Sequence, residues 1–276
     1  MTVVARDRET LATARSKLDG TVGLVPTMGA LHDGHRANIR AAKAAADYVV
    51  VSVFVNPLQF GPNEDYDQYP RQLDEDVAIC EAEGVDLVFA PEVETMYRPL
   101  GSRLTEVTLE AGPAGAQLEG ASRPGFFNGV LTVVAKLFQL IKPDLACFGE
   151  KDYQQLALVR RMVFDLDFDI RIIGVPTVRE ADGLARSSRN VYLSAAEYES
   201  ALAIPRAIAA AQASPDPLAA AREVLLSAPG VKVDYLTIMD PDLGSPPSQG
   251  QARLLIAAFV GKTRLIDNAP VTIGTQ

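Results

Sequence analysis

Residues 48–55 read YVVVSVFV, a run in which almost every side chain is apolar and most are β-branched. Successive side chains of a β-strand point to opposite faces, so a strand of this composition is buried on both faces. Such burial is typical of a central parallel strand, whose neighbours are connected to it through helices that cover the sheet. This run therefore indicates an α/β fold.

The chain on either side of this run repeats the same alternation of buried strands and helical segments. Further strands are predicted at residues 21–25, 85–90, 145–148 and 170–175, and helices at residues 7–18, 37–46, 71–83, 128–141 and 153–166. This alternation predicts a doubly wound, Rossmann-like parallel sheet.

The pattern of predicted strands and helices changes near residue 176. The later segments are an alanine-rich helical stretch, a half-exposed strand and two antiparallel strands, at residues 195–228, 231–239, 254–260 and 263–266 respectively. We therefore predict two domains, a Rossmann-like domain at residues 1–176 and a smaller α+β domain at residues 177–276.

Charge and composition exclude several classes of function. The 276 residues carry a formal net charge of −9, whereas non-specific nucleic-acid binders usually present a basic face. No apolar run approaches the roughly 18 residues that a membrane span needs, and residues 1–18 lack the apolar core of a signal peptide. Cys80 and Cys147 show no metal-ligand spacing and are expected to be reduced and buried. We predict a cytoplasmic protein with neither a nucleic-acid nor a membrane partner.

Residues 26–35 read PTMGALHDGH and lie between a predicted strand and a predicted helix. Both histidines of the chain, His32 and His35, fall in this turn with Gly34 between them. The first turn of a helix has unpaired backbone N–H groups and the positive end of the helix dipole, so it favours phosphate. Asp33 is the predicted N-cap of the helix. The alternative interpretation is an ordinary βα turn with two surface histidines.

Polar side chains also follow the strand at residues 48–55, in the segment NPLQFGPN at residues 56–63. Open α/β sheets bind ligands at the carboxyl ends of their strands, which makes Asn56 and Gln59 candidate ligand contacts. The alternative is that these amides only form turns. Residues 97–128 contain several Gly and Pro residues and are predicted to form an irregular loop that covers a site.

Two later turns combine a strand end with groups that bind anions. Residues 149–155 read GEKDYQQ, and a lysine beside a helix N-terminus, here Lys151, is favourable when an anion lies between them. Residues 186–190 read RSSRN and offer hydroxyl and guanidinium donors. The alternatives are a solvated charge cluster for the first turn and a cap of the helix that begins near Ser194 for the second.

The two commonest nucleotide-binding motifs are missing from the sequence, which contains neither G-x-x-x-x-G-K-[ST] nor G-x-G-x-x-G. The H-x-G-H pattern of residues 32–35 suits attack on an α-phosphate instead. Histidine donors, Lys151 and a magnesium ion would stabilise the charge that develops on the leaving pyrophosphate.

Six segments, spread over both predicted domains, together resemble the pantoate–β-alanine ligase family of the H-x-G-H nucleotidylyltransferase superfamily. They are VPTMGALHDGH (25–35), SVFVNPLQFGPNEDYDQYPR (52–71), LEGASRPGFFNGV (118–130), FGEKDYQQ (148–155), VPTVREADGLARSSRN (175–190) and TRLIDN (263–268). The resemblance implies that ATP and pantoate form a pantoyl adenylate and pyrophosphate. β-Alanine then attacks the acyl carbon, and pantothenate and AMP are released.

The resemblance also implies roles for individual residues. The ATP site would be formed by Met28, Gly29, Ala30, Leu31, His32, Asp33, Gly34, His35, Gly149, Glu150, Lys151, Asp152, Val178, Arg186, Ser187, Ser188 and Arg189. The catalytic residues would be His35, His32 and Lys151, and the substrate-binding residues Gln59, Gln155 and Asn56. The first domain would thus bind nucleotide and pantoate, while the second would contribute the Ser-Ser-Arg segment. The family uses magnesium and is usually a cytosolic homodimer, so Mg²⁺ is an expected cofactor, with ligands that the sequence does not identify.

The family role of His35 is that of a proton donor. A carboxylate nucleophile has no proton to lose, so we interpret His35 as a hydrogen-bond donor to phosphate oxygens. The chain departs from the family pattern at Phe126, where histidine is usual, at Arg186, where an apolar residue is usual, and at residues 36–38, which are less apolar than usual. The alternative functions are a related nucleotidylyltransferase that stops at a nucleotide-linked product and a catalytically silent nucleotide-binding regulator.

Overall fold

The computed structural model of the chain describes residues 2–62, 64, 66–98, 105 and 107–274. Two compact units make up the chain: Met1–Gly149 with Leu158–Val175, and Glu150–Ala157 with Pro176–Gln276. Residues 150–157 therefore belong to the second unit, although the predicted boundary after residue 176 assigned them to the first.

A six-stranded parallel sheet forms the centre of the first unit, as predicted. Its strands are Val3–Ala5 (β1), Val22–Thr27 (β2), Tyr48–Val53 (β3), Leu87–Phe89 (β4), Leu145–Gly149 (β5) and Arg171–Val175 (β6). The helices along this part of the chain are Arg8–Arg15 (α1), Asp33–Ala45 (α2), Leu73–Ala82 (α3), Val93–Tyr97 (α4), Glu119–Ser122 (α5), Phe126–Ile141 (α6) and Tyr153–Asp165 (α7), the last of which begins in the second unit.

The strand order β1-β4-β3-β2-β5-β6 contains a switch point at β2. From β2 the chain proceeds to β3 and β4 on one side, and β5 and β6 lie on the other side, with Gly23 of β2 paired to both Val49 and Leu145. Doubly wound sheets bind ligands at the carboxyl ends of the strands beside such a switch point. The fold therefore favours a ligand site at the segments that follow β2 and β5.

The burial of β3 explains why its sequence was so informative. Val49, Val50 and Val51 are at most 1% exposed, because the strand is paired on both edges, with β2 and β4. Cys80 and Cys147 are free and buried, as predicted. Burial raises the pKa of the Cys80 thiol to about 12 and that of the Cys147 thiol to about 11, so both stay protonated and unreactive at neutral pH.

The second unit contains an antiparallel sheet and alanine-rich helices. Its strands are Val231–Met239 (β7), Gly250–Val260 (β8) and Thr263–Ile273 (β9), and its helices are Ala195–Ala201 (α8), Ala203–Gln212 (α9) and Pro217–Ser227 (α10). Ala207, Ala211 and Ala221 are fully buried in its core, where small side chains allow helices to approach closely.

Several predicted boundaries differ from the structure. The strands predicted at residues 254–260 and 263–266 exist, but both are longer. The extra length includes the buried polar residues Arg253, Asp267 and Asn268, whose polarity hid it in the sequence. The short strand β1 was missed because three residues carry little periodicity.

The region predicted to be an irregular loop, residues 97–128, contains the helix α5 and a 3₁₀ turn at Pro113–Gly115. Its residues 99–104 and 106 lie outside the described part of the chain. The prediction that this region covers a site therefore stays a prediction.

Candidate active site

The turn between β2 and α2 is held by its own backbone and by one buried acid. Gly29 and Ala30 both have positive φ, +86° and +51°. This conformation turns the N–H groups of Ala30 and Leu31 towards Asp76 of α3, whose carboxylate accepts both, at 3.1 and 2.8 Å. A β-carbon on Gly29 would lie 2.8 Å from the Asp76 Oδ2 atom, so glycine is required there.

Asp76 is only 1% exposed. Desolvation by burial raises the pKa of this carboxyl, and the two backbone hydrogen bonds oppose that shift without cancelling it. Asp76 was not predicted as a site residue because it belongs to an acidic stretch, LDED, that resembles a solvated helix face. A signal existed, since Asp76 lies four residues before buried Cys80 and therefore on the buried face of α3.

The two histidines cap the helix that they precede. The predicted N-cap, Asp33, is wrong: His32 is the N-cap residue and Asp33 is the first helical residue. The Nδ1 atom of His32 accepts from the N–H of Gly34, and the Nδ1 atom of His35 accepts from the N–H of His32, both at 3.1 Å. Imidazole can take the role usually given to Ser, Thr or Asp because its unprotonated nitrogen is an acceptor.

This capping fixes the tautomer of both rings. A nitrogen that accepts a backbone N–H carries no proton, so in each neutral imidazole Nε2 is the N–H nitrogen. The ring centroids of His32 and His35 lie 4.2 Å apart. The start of α2 therefore combines two Nε2–H donors with the positive end of a helix dipole, which is an arrangement that binds anions.

A second polar group follows β3. Asn56 is 1% exposed and caps the 3₁₀ turn Pro57–Gln59, and its Nδ2 atom donates to the Oε1 atom of Gln59 at 3.0 Å. The Nε2 atom of Gln59 lies 2.9 Å from the Sδ atom of Met28 in the turn after β2. Two predicted site residues, Met28 and Gln59, are thus in direct contact. Asn56 is hydrogen-bonded to the other end of the Gln59 amide.

At the positions where the sequence departs from the family pattern, the structure shows the neighbours of Phe126, Arg36 and Asn38. The guanidinium of Arg123 lies 3.8 Å from the centroid of the Phe126 ring and forms an ion pair with Glu64. Arg36 pairs with Glu83 at 2.9 Å. The Oδ1 atom of Asn38 is buried and has no hydrogen-bond partner among the described residues.

The segment after β5 is held by side chains far away in the sequence. Asn268 of β9 donates from Nδ2 to the carbonyl oxygens of Glu150 and Lys151, both at 2.9 Å. Arg253 of β8 binds the Oδ1 atom of Asn268 at 2.7 Å and the Glu150 carboxylate at 3.0 Å. These contacts fix the 3₁₀ turn Glu150–Asp152, and with it the half-buried side chain of Lys151. Asn268, Arg253 and their contacts were not predicted.

A cavity in the second unit brings Lys151 together with the Ser-Ser-Arg segment. Its polar lining includes Lys151, Ser187, Arg189, Asn190, Arg264 and Asp267. The one acid among these six, Asp267, is already bound by both terminal nitrogens of Arg179, at 2.7 and 3.0 Å. Two of the three basic lining residues also face carboxylates, since Arg264 pairs with Asp234 at 2.8 Å and Lys151 lies 3.7 Å from Asp152.

Three other predicted ATP residues, Val178, Arg186 and Ser188, do not line this cavity. The Arg186 guanidinium pairs with Glu180 at 3.1 Å, while its backbone N–H donates to the Val178 carbonyl. Ser194, with Glu197, caps α8 itself, so the Ser-Ser-Arg segment is not needed for that purpose. Gln155 lies in the first turn of α7 and is half-buried.

Within the described residues, no group of three or more His, Cys, Asp or Glu side chains could hold a metal ion. Mg²⁺ usually binds through one or two carboxylates together with substrate phosphates and water. None of the described helices combines the length and apolar character needed to cross a bilayer.

The similarity to known proteins extends over nearly the whole chain. Residues 1–270 match the family model for pantoate-beta-alanine ligase. The chain is 59% identical to pantothenate synthetase of Nocardia farcinica over 92% of its length and 80% of the relative. It is 55% identical to that of Salinispora arenicola over 99% of both chains.

Two solved structures are similar throughout. The pantothenate synthetase of Thermus thermophilus is 48% identical with a TM-score of 0.88, covering 97% of this chain and 99% of that one. The pantoate-beta-alanine ligase of Francisella tularensis, complexed with beta-gamma ATP and beta-alanine, is 36% identical with a TM-score of 0.80. That match covers 98% of this chain and 97% of the other.

Proposed function

Because the chain belongs to the pantoate–β-alanine ligase family and catalyses the ATP-dependent ligation of pantoate to β-alanine, we propose that it does so through a pantoyl adenylate. A carboxylate oxygen of pantoate attacks the α-phosphorus of ATP, and pyrophosphate leaves as its bond to that phosphorus breaks. The amine of β-alanine then attacks the acyl carbon and loses a proton. AMP departs with the former carboxylate oxygen, and pantothenate is formed.

The observation that carries this proposal is the pair of histidines that caps the start of α2. His32 and His35 use Nδ1 as acceptors within the helix cap, and we assign the Nε2–H group of each neutral ring to a phosphate oxygen. In this proposal His35 stabilises developing negative charge as a hydrogen-bond donor and transfers no proton in the first step.

We assign Lys151, Ser187 and Arg189, which line one cavity of the second unit, to nucleotide phosphates. An ammonium, a hydroxyl and a guanidinium are all suitable phosphate donors. The other predicted ATP residues keep the same assignment as proposals: Met28, Gly29, Ala30, Leu31, Asp33, Gly34, Gly149, Glu150, Asp152, Val178, Arg186 and Ser188.

We assign pantoate to Gln59 and Gln155. Pantoate carries hydroxyl groups and a carboxylate, which neutral amides can bind without removing electron density from the attacking oxygen. A lysine in the same place would pair with the carboxylate and weaken it as a nucleophile.

Magnesium is part of the proposal as an ion that enters with ATP, where it would neutralise phosphate charge during pyrophosphate departure. A homodimeric, cytoplasmic enzyme is the family expectation, and it rests on the family resemblance alone.

Isotope exchange tests the adenylate directly. The enzyme, ATP, magnesium and pantoate, without β-alanine, are incubated with labelled pyrophosphate, and the label is expected to enter ATP. With pantoate that carries ¹⁸O in its carboxylate, the full reaction should transfer one ¹⁸O atom to AMP. Exchange that requires β-alanine, or AMP without ¹⁸O, would contradict the adenylate.

A further inference from the structure

The side chain of Asn56 has every hydrogen-bonding position filled by the protein. Its Oδ1 atom accepts from the N–H of Leu58 at 3.1 Å and from the hydroxyl of Tyr97 at 2.5 Å. Its Nδ2 atom donates to the Gly129 carbonyl at 3.1 Å and to the Oε1 atom of Gln59 at 3.0 Å. A primary amide has two donor hydrogens and two acceptor lone pairs, so no position is left for a ligand.

Two backbone groups decide which way this amide points. The Leu58 N–H can only donate and the Gly129 carbonyl can only accept, so the oxygen of Asn56 must face Leu58 and its nitrogen must face Gly129. Helix α6 brings Gly129 into direct contact with the Leu58 carbonyl, where a β-carbon would collide. The orientation of Asn56 therefore follows from the backbone rather than from an arbitrary choice between oxygen and nitrogen.

The orientation of Asn56 in turn decides the orientation of Gln59. The Gln59 atom that faces the Asn56 Nδ2 must be an acceptor, which is Oε1. Its Nε2 atom is directed the other way, where its protein neighbour is the Met28 Sδ atom, a weak acceptor. Gln59 thus offers an N–H group, and not a carbonyl oxygen, to a ligand beside Met28.

Tyr97 supplies the remaining contact, and it is firmly held. It is the last residue of α4 and is 1% exposed. Its ring meets Phe54 edge-on at a centroid distance of 5.9 Å. Arg8 donates to the carbonyl oxygens of Thr95 and Met96 at 2.9 Å each and so fixes the end of α4. Burial raises the pKa of the Tyr97 phenol, so its hydroxyl remains a donor throughout the neutral range.

We propose that Tyr97 is a positioning residue for the ligation, because its hydroxyl restrains the Asn56 amide in the orientation that the backbone sets, and that amide directs the Gln59 N–H towards an oxygen of pantoate. This inference rests on the proposed assignment of pantoate to Gln59. Tyr97 itself touches no substrate.

The first test is Tyr97→Phe, which keeps the ring and removes only the hydroxyl. It leaves the buried Asn56 Oδ1 atom with one partner fewer, at a cost near 1.4 kcal/mol, so we expect the KM for pantoate to rise about tenfold. The KM values for ATP and β-alanine should change less than about twofold. The matched control is Tyr48→Phe, which removes a hydroxyl that donates to exposed Asp19 and should leave all three KM values unchanged. Equal losses for all three substrates would indicate a general structural role and overturn the proposal.

A double-mutant cycle separates this inference from the assignment of Gln59. If Gln59→Ala leaves the KM for pantoate unchanged, the assignment of Gln59 fails. If Gln59→Ala raises that KM and Tyr97→Phe raises it further by the same factor in the double variant, Tyr97 does not act through Gln59 and the inference fails. Loss of the Tyr97→Phe effect in the Gln59→Ala background supports it.

Gln59→Glu provides a test that does not depend on the stability of a Tyr97 variant. The new carboxylate can still accept from Asn56, but it presents an oxygen where Gln59 presents an N–H. We expect the KM for pantoate to rise at least as much as in Gln59→Ala, because two carboxylates repel. Near-normal pantoate affinity would show that an N–H is not required and would overturn the proposal.

Discussion

The two segments that follow β2 and β5 are both proposed to bind ATP, but they are held in place in different ways. The first segment, residues 28–35, is held mainly by contacts within itself: His35 accepts from the His32 N–H, and His32 accepts from the Gly34 N–H. Asp76 is the one distant residue in this set of contacts, and it accepts from two backbone N–H groups of the turn. The second, Glu150–Asp152, depends on Asn268 and Arg253, more than 100 residues later in the chain.

The difference explains which of these contacts can be predicted from the sequence. Local constraint produces a short motif, because the residues that form the contacts are close together in the chain. The contacts that hold the second segment join residues more than 100 positions apart, so the sequence around Glu150–Asp152 does not indicate that Asn268 and Arg253 hold it. The following variants test this contrast, from the largest expected effect to the smallest.

His35→Ala removes an Nε2–H donor from the first segment. We expect kcat for adenylate formation to fall about 10²-fold or more, as for loss of an oxyanion-type donor. Pyrophosphate exchange at saturating ATP and pantoate measures this step. An unchanged exchange rate would remove His35 from the mechanism.

The same substitution also removes a helix cap, so a matched variant is needed. In His35→Asn the amide oxygen can replace Nδ1 as the acceptor for the His32 N–H, whereas the Nε2–H donor is lost. We expect an equal loss of exchange with near-normal thermal stability. Recovery of activity in His35→Asn would mean that capping, and not phosphate donation, is the function of His35.

Asn268→Ala tests the second segment. The Glu150 and Lys151 carbonyls would each lose a donor, and Lys151 would lose its fixed position. We expect kcat/KM for ATP to fall about tenfold, the equivalent of a single hydrogen bond lost from the positioning of Lys151. Thr272→Ala, on the same strand in an exposed pair with Gln251, is the control and should have normal activity. Normal kinetics for Asn268→Ala would show that this segment is fixed locally after all.

Gly29→Ala tests the backbone of the first segment. Its φ of +86° is unfavourable for alanine, and the added methyl group would crowd Asp76. We expect a loss of about 1–3 kcal/mol in the free energy of unfolding, measured by urea denaturation. Gly61→Ala, where a β-carbon meets only ordinary contacts, should cost far less. Equal effects at the two glycines would contradict the strain argument.

Glu83→Gln tests the support of α2. Hydrogen bonds from Arg40 and then Arg36 lower the pKa of Glu83 below its ordinary value of 4.5, although desolvation opposes them. A lowered pKa stabilises the folded state above pH 4.5, and that contribution disappears as the pH falls through the folded-state value. We therefore expect Glu83→Gln to cost less than about 1 kcal/mol at pH 7 and to match the unsubstituted protein at low pH. Glu81→Gln, on the exposed face of α3, is the control, and a cost that does not depend on pH would contradict this account.

Much of the fold could be predicted because hydrophobic periodicity is a local property. The parallel sheet and most of its helices follow from runs such as residues 48–55. Errors occurred where polar residues are buried, as in the extra length of β8 and β9, and where His32 takes a capping role that is usual for Asp. In each case a residue was predicted wrongly because its role depends on a contact that the sequence does not show.

The sequence alone determined the parallel α/β unit, the smaller α+β unit, the histidine-bearing turn and the family. These depend on the order of apolar residues or on segments of a few consecutive residues. Only the tertiary structure decided that Asp76 holds the first turn, that Asn268 holds the second, and that Asn56 lies behind Gln59 with Tyr97 as its partner. The physical reason is that a buried polar group must find a hydrogen-bond partner, and folding selects that partner by proximity in space, without regard to distance along the chain.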